Sequence, residues 1–223
     1  MKTSLIKRIT SLKKERKAII LAHVYQRDEI QKIADFTGDS LGLSKIAATT
    51  TSKVIVFCGV RFMAETASIL NPDKIVLLPE KRAGCALADT ITLERLKEEK
   101  RKYPDAAVVS YVNSSASIKA ESDICCTSAN AVEVVNSLKE KKVLFVPDKN
   151  LGRFVASKTD KEIILWDGFC YVHHYGIKPE HIELAKKNHP LAKVMVHPEC
   201  QPEVTKMADY VGSTAQMARY AFK

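Results

Sequence analysis

The chain has 223 residues, is 46% apolar with only eight glycines and eight prolines, and carries a formal net charge of +9. That balance excludes a disordered chain, and the length allows one large core or two to three small ones. No apolar run approaches the roughly 20 residues of a membrane span, and the apolar stretch Ala18 to Ala22 behind the basic N-terminus is too short for a signal-peptide core; the expectation is a soluble, cytoplasmic protein with no membrane partner.

Amphipathic helices alternate with short β-branched runs along the chain. Leu5 to Arg16 reads as a helix, Ala18 to Val24 as a strand, Asp28 to Asp35 and Ser40 to Ala48 as helices, and Lys53 to Cys58 as a strand. A helix near Phe62 to Leu70 is stopped by Asn71-Pro72, and a strand follows from Lys74 to Leu78. The charged helix Leu93 to Lys102 leads to a second round: strand Ala106 to Val112, a short helix, the segment Asp123 to Cys126, helix Ser128 to Leu138 and strand Lys142 to Val146. Helix Leu151 to Ser157 and strand Glu162 to Trp166 complete it. A third round opens with a strand at Ala192 to Val196 and ends in a helix from Ser213. This alternation predicts an α/β fold of parallel sheets covered by helices on both faces.

The rounds share a skeleton. His23-Val24-Tyr25, Tyr111-Val112-Asn113 and His197-Pro198-Glu199 are each followed at the same two offsets by Asp35 and Ser40, Asp123 and Ser128, and Asp209 and Thr214. The aspartates lie 88 and 86 residues apart, the size of a small α/β domain rather than of a solenoid unit. The expected organisation is therefore three related αβα domains, residues 1–90, 91–175 and 176–223, with short parallel sheets and the third incomplete. The first two repeats each supply a cysteine just past their last strand, Cys85 and Cys170, 45 and 42 residues after Ser40 and Ser128. The same spacing sets a third cysteine beyond Lys223.

The basic residues cluster in runs such as Lys97 to Lys102 that alternate with Glu, the pattern of solvated helix faces, with an attraction for anionic substrates as the sharper reading. They are not interleaved with aromatics, and nucleic-acid binding is not expected. Six cysteines in a cytoplasmic chain are expected to stay reduced, some serving a metal or catalysis and the rest the core. Cys58 reads as core. Cys125 and Cys126 precede a helix N-terminus, where a thiol pKa falls, but they lack counterparts in the other repeats and read as packing. Cys200 is the only in-chain substitute for the absent third thiol, but it lies on the strand-end side of the site rather than at the repeat's cysteine position.

Hydroxyls at Ser40, Ser128 and Thr214, each at an N-cap or first turn, suit carboxylate or phosphate. Thiolates from matching repeats suit an iron–sulfur cluster that leaves one iron without a protein ligand, open to act as a Lewis acid in dehydration and condensation. His23, Tyr25, His197 and Glu199 are the acid–base candidates; Tyr111 can donate or accept through its phenol, and Asn113 can orient an oxygen or imine. His173 and His174 follow Cys170 and are placed near the site, whereas His181 and His189 read as surface residues.

Several segments carry a more specific signal: Ala22-His23-Val24-Tyr25-Gln26, Gly38-Asp39-Ser40-Leu41-Gly42-Leu43, Phe62-Met63-Ala64-Glu65-Thr66-Ala67, Ala83-Gly84-Cys85, Tyr111-Val112-Asn113, Lys119 to Ser128, Val146-Pro147-Asp148-Lys149, His197-Pro198-Glu199-Cys200 and Val211-Gly212-Ser213-Thr214. Together they resemble the quinolinate synthase family, and the similarity runs from residue 18 onward. The resemblance implies three αβα domains around a pseudo-threefold axis. It implies condensation of iminoaspartate with dihydroxyacetone phosphate to quinolinate, with release of phosphate and water, for NAD biosynthesis. An enzyme supplying iminoaspartate would be the functional partner. It further implies a [4Fe–4S] cluster with Cys85 and Cys170 as two of three ligands. His23, Ser40, Tyr111, Val112, Asn113, Ser128, His197, Pro198, Glu199 and Thr214 would contact substrate or intermediates, with His23, Tyr25, Tyr111, His197 and Glu199 catalytic. The segment bearing the third cysteine is missing from these 223 residues, so a cluster-free metabolite-binding fragment is the alternative.

Overall fold

The computed structural model describes residues 3–222, which divide into two compact units on either side of the Cys85–Ala86 bond. The first unit runs α1 (Thr3–Glu15), β1 (Ala18–His23), α2 (Asp28–Gln31), β2 (Phe36–Gly38), α3 (Ser40–Thr49), β3 (Val54–Cys58), α4 (Arg61–Leu70) and β4 (Ile75–Leu77). Its four strands are all parallel, in the order β2-β1-β3-β4. The last four residues of β1, Ile20 to His23, are buried in succession, so both faces of this central strand are covered, as a parallel sheet requires. Ile75 and Leu77 on the edge strand β4 are exposed.

The second unit runs α5 (Leu93–Lys102), β5 (Ala106–Tyr111), α6 (Ala116–Ala120), β6 (Ile124–Cys126), α7 (Ala131–Ser137), β7 (Lys142–Val146), α8 (Lys149–Ala156), β8 (Glu162–Leu165), α9 (Tyr171–Gly176), α10 (Pro179–Asn188), β9 (Met195–Val196), α11 (Pro202–Lys206), β10 (Tyr210–Val211) and α12 (Thr214–Ala221). It holds a parallel sheet β6-β5-β7-β8, the same order as in the first unit, and a two-stranded parallel sheet β10-β9. Ile91, Leu96, Val108, Ile118, Leu144, Val146 and Trp166 form a core against the larger sheet. A smaller core of Val196, Cys200 and Val204 lies against the shorter one.

The repeated aspartates explain why three different sequences make the same turn. Asp35, Asp123 and Asp209 each accept a backbone N–H from the first strand of their sheet or the residue just before it, Ile20 (2.8 Å), Val108 (2.7 Å) and Val194 (2.9 Å), and each donates its own N–H to the same residue's carbonyl. The clamp fixes register: Leu21 pairs with Phe36, Val109 with Ile124 and Met195 with Tyr210. It also accounts for a departure from the expected helix Asp28 to Asp35. That helix ends at Gln31, because Asp35 is drawn into the clamp and launches β2, a strand absent from the sequence reading. The helix expected from Ser128 starts instead at Ala131, since the Asn130 side chain accepts from Thr127 N and Oγ1 and closes a turn over 127–130. The strand expected from Ala192 shrinks to Met195–Val196, and α9, α10 and α11 are additional.

Part of the positive charge is structural. Lys74 Nζ donates to the carbonyls of Ala47 and Thr50 at the end of α3, and Lys161 Nζ to Leu138 and Glu140 after α7, which satisfies orphan helix-end carbonyls with a cation. Lys100 and Lys186 make the corresponding contacts to Glu121 and Met207 carbonyls.

Candidate active site

In both units the singled-out polar residues gather where the first strand of each sheet ends, the edge at which parallel sheets carry their sites. In the first unit β1 delivers a buried His23 whose Nδ1 accepts the N–H of Tyr25 at 3.2 Å. Burial pulls its pKa below the usual value, with the Asp39 carboxylate opposing. The Tyr25 ring meets the imidazole edge-on but is 67% exposed. Ser40 opens α3 behind its N-cap Asp39, which accepts from Gly42 N. Cys85 is half-buried at the end of this unit.

The second unit holds a buried polar network. Tyr111, at the end of β5, donates its hydroxyl to Glu199 Oε1 at 2.6 Å, and the other carboxylate oxygen lies 2.9 Å from His173 Nδ1. His197 Nδ1 accepts from Glu199 N at 3.3 Å, so its Nε2 carries the proton and faces Ser128 Oγ at 3.1 Å. Burial alone would raise the Glu199 pKa, but His173, His197 and Tyr111 outweigh it and hold the carboxylate well below its ordinary range. For His173 the same bond to Glu199 overcomes burial and raises the imidazole pKa. Tyr111 is pushed well above a normal phenol by burial and by Glu199, which makes it a donor rather than a base.

The first turn of α8 braces this network. Asp148, fully buried, caps the helix through Leu151 N and accepts Cys170 N at 2.9 Å on its other oxygen. Burial and the nearby Glu199 charge push its pKa up to about 7. Asn150 donates to the Glu199 carbonyl and contacts His174 Nδ1. Cys170, the N-cap of α9, holds its Sγ 3.2 Å from His173 Nδ1. Gly168 packs against the Pro147 carbonyl and the Thr90 side chain so closely that a Cβ would overlap both. Among the described residues, Asn113 Oδ1 and Asn150 Oδ1 are the buried side-chain atoms without a hydrogen-bond partner. Ser128 and Pro198 line an open cavity of about 190 Å³ together with Asn130, Gly212 and Gln216.

The family model described as quinolinate synthetase A protein matches residues 7–223. The chain belongs to the quinolinate synthase family. It is 59% identical over 217 residues to the quinolinate synthase of Methanosarcina barkeri, covering 97% of this chain and 71% of that protein. It is 62% identical over 214 residues to the enzyme of Dehalococcoides mccartyi (96% and 70%), and 57% identical over 214 residues to that of Caldicellulosiruptor bescii (96% and 70%). The chain thus spans about 70% of the length of these quinolinate synthases.

Within this quinolinate synthase framework, Tyr111, Ser128, His197 and Glu199 come together as one hydrogen-bonded set. Val112 pairs its N–H with Cys126, Asn113 follows it, and Pro198 lies buried between His197 and Glu199. Thr214 opens α12 behind the N-cap Ser213. Ser40 and Thr214 occupy first helical turns as the sequence suggested; Ser128 does not, for it precedes the Asn130 cap of α7. The lowered thiol pKa considered for Cys125 and Cys126 is reversed: burial raises both. Cys200 packs in the small core with Val196 and Val204. Asp148 and Asn150 were not among the expected site residues, whereas His173 was expected near the site from its place after Cys170. The Val146-Pro147-Asp148-Lys149 segment and the His173-His174 pair after Cys170 were the available signals. None of the six cysteines is in a disulfide. No helix among the described residues is long and apolar enough to cross a membrane.

The donor chemistry suits an iron–sulfur group. Cys85 and Cys170 are half-buried cysteines outside any disulfide, in the segments after the last strand of each four-stranded sheet, and soft thiolates are the ligands such clusters take.

Proposed function

We propose that the chain carries the quinolinate synthase reaction: condensation of iminoaspartate with dihydroxyacetone phosphate, with loss of phosphate and water, in the cytoplasm. An enzyme that forms iminoaspartate would supply the substrate. The observation that supports this reading is the buried chain Tyr111–Glu199–His173 beside His197 and Ser128, within a sequence of this family. Three repeats, residues 1–90, 91–175 and 176–223, would each contribute a strand end and a hydroxyl.

Cys85 and Cys170 would hold a [4Fe–4S] cluster, with the third thiolate from outside these 223 residues. When bound, the cluster supplies a Lewis acid at the iron that lacks a protein ligand. Glu199, ionised across the neutral range, accepts a proton during isomerisation and returns it in the ring-closing steps. Tyr111 anchors Oε1 and leaves Oε2 to exchange its proton with His173. His197 donates through Nε2 and keeps the Ser128 hydroxyl turned as an acceptor or relay. Ser40, Ser128 and Thr214 bind the carboxylates and phosphate; Asn113 accepts the imine N–H at its open Oδ1. His23 and Tyr25 serve the proton transfers of the other substrate half, and Val112 and Pro198 shape the contact surface.

Iron and sulfide content, measured with quinolinate formation after anaerobic reconstitution of the 223-residue chain, tests the reading. About four irons with turnover supports the reaction and assigns the third ligand to this chain, Cys200 first, or to a partner chain. Little iron and no turnover favours the cluster-free fragment. Glu199→Gln should lower turnover by at least about a hundredfold, and unchanged turnover would remove Glu199 from its role.

A further inference from the structure

The helices α4 and α8, which follow the third strand of their units, start in the same way. Arg61 N donates to the Ala83 carbonyl at 2.8 Å, and Lys149 N donates to the Gly168 carbonyl at 2.7 Å. Each bond ties the first helical residue to the position two before a cysteine, Cys85 or Cys170. Arg61 and Lys149 stand 88 residues apart, the interval of the clamp aspartates Asp35 and Asp123. The N-caps just before them differ: Val60 in the first unit and Asp148 in the second. Val60 makes no side-chain cap bond, yet α4 runs ten residues against eight for α8. The repeat therefore builds this helix start, and its tie to the cysteine segment, without a carboxylate.

Asp148 is fully buried and divides its two oxygens. Oδ1 accepts Leu151 N at 2.8 Å, and Oδ2 accepts Cys170 N at 2.9 Å. A helix cap needs one side-chain oxygen, as serine and threonine caps show. A buried carboxylate is costly unless it is hydrogen-bonded, so the second oxygen is what sets Asp148 apart from a simpler cap. That oxygen fixes the backbone of Cys170, and with it the direction in which the thiol leaves the chain. Lys149 Nζ, 2.8 Å from Asp167 Oδ1, and Gly168, packed on the Pro147 carbonyl, stitch the same segment to the start of α8. The next position carries a second polar addition: Asn150, which donates to the Glu199 carbonyl, stands where the first unit has the buried Phe62. We propose that Asp148 is a positioning residue for the Cys170 thiol. It acts through the Cys170 backbone rather than on a substrate, as outer contacts do for metal ligands. The use of that thiol for a cluster rests on the proposed function; its positioning by Asp148 does not.

The test is Asp148→Ser in the cluster-free 223-residue chain. Serine caps the helix through Leu151 N, but its shorter side chain cannot also reach Cys170 N. Iodoacetamide labelling of the folded chain under anaerobic conditions, resolved by peptide mass, gives the Cys170 rate relative to Cys85 in the same molecule. The expected result is a ratio raised at least about threefold, with a urea midpoint within about 0.3 M of the parent. Asp148→Asn, which keeps the shape and turns an amide donor towards Cys170 N, should raise the ratio as well and serves if the serine variant fails to fold. A ratio unchanged in both variants, or one that rises only in step with loss of overall stability, would reduce Asp148 to a helix cap and overturn the proposal. After anaerobic reconstitution, Asp148→Ser should hold under about half the iron of the parent. A parent that takes up no iron would count against the cluster reading alone, because the labelling ratio is measured without it.

Discussion

The ends of β1 and β9 make the same local turn and arrive at different chemistry. In both, a buried histidine accepts through Nδ1 the N–H of the residue two positions on, and both sit beside an aspartate clamp of identical register. Yet Tyr25 is 67% exposed, whereas Glu199 is 3% exposed and held by Tyr111, His173 and His197. The turn is local and copied by the repeat. The surroundings of residue 199 come from β5, α8 and α9, and it is these that convert a carboxylate at a loop position into a buried, charged group.

The comparison is broken most directly by truncating the two equivalent residues. Glu199→Ala leaves Tyr111 and His173 facing an empty buried position and should cost about 3–5 kcal/mol. Tyr25→Ala should stay within about 0.5 kcal/mol, and urea unfolding of the two variants checks the contrast. Gly168→Ala comes next. A Cβ there overlaps the Pro147 carbonyl and Thr90, neither of which is a flexible side-chain end, so the loop carrying Cys170 must shift at a cost of about 1–3 kcal/mol. Cys170 alkylation rates read that shift separately from stability. The aspartate clamps sharpen the comparison further. Asp123→Ala frees Val108 N in the middle of the larger core and should cost about 1–2 kcal/mol, while Asp209→Ala, at an exposed clamp, should cost less.

These clamps mark where the sequence was legible. The recurrence of Asp35, Asp123 and Asp209 was visible as spacing, and the strands they fix were found within a residue or two for β1, β3, β5 and β7. What spacing did not reveal was that the aspartates are structural and that they shorten the preceding helix to admit β2. Ser40 and Thr214 could be assigned to helix starts because hydroxyls favour those positions. Ser128 could not, because Asn130, two residues later, closes the 127–130 turn through Thr127 N and Oγ1, and the helix starts only after it. The meeting of Tyr111, Glu199 and His173 spans 88 residues of sequence, and no local pattern encodes it. His173 was visible only as a neighbour of Cys170, and Asp148 only as part of a family segment.

The smallest expected effect separates the two strand ends by the sign of their pH dependence. His173 has a raised pKa in the folded chain, so its pairing with Glu199 contributes fully below the unfolded histidine value of about 6.5 and is lost as pH rises through the raised value. Glu199 has a depressed pKa, so its own contribution is present above about pH 4.3 and fades only as pH falls towards its folded value. The pair is therefore strongest at about pH 5–6. His173→Gln keeps a hydrogen-bond donor but loses the charge, so its deficit against the parent should be largest there and shrink by about pH 9. His23 runs the other way. Its folded pKa is depressed by burial, so the folded state resists its protonation and loses stability as pH falls from about 6.5 through the lowered value. His23→Gln should relieve that acid sensitivity, giving a deficit that is smallest at low pH. Urea midpoints of both variants at three pH values decide the matter, because every other titrating group is common to variant and parent. Deficits that move in the same direction would mean that the two histidines share an environment, and the contrast between the two strand ends would then rest on exposure alone.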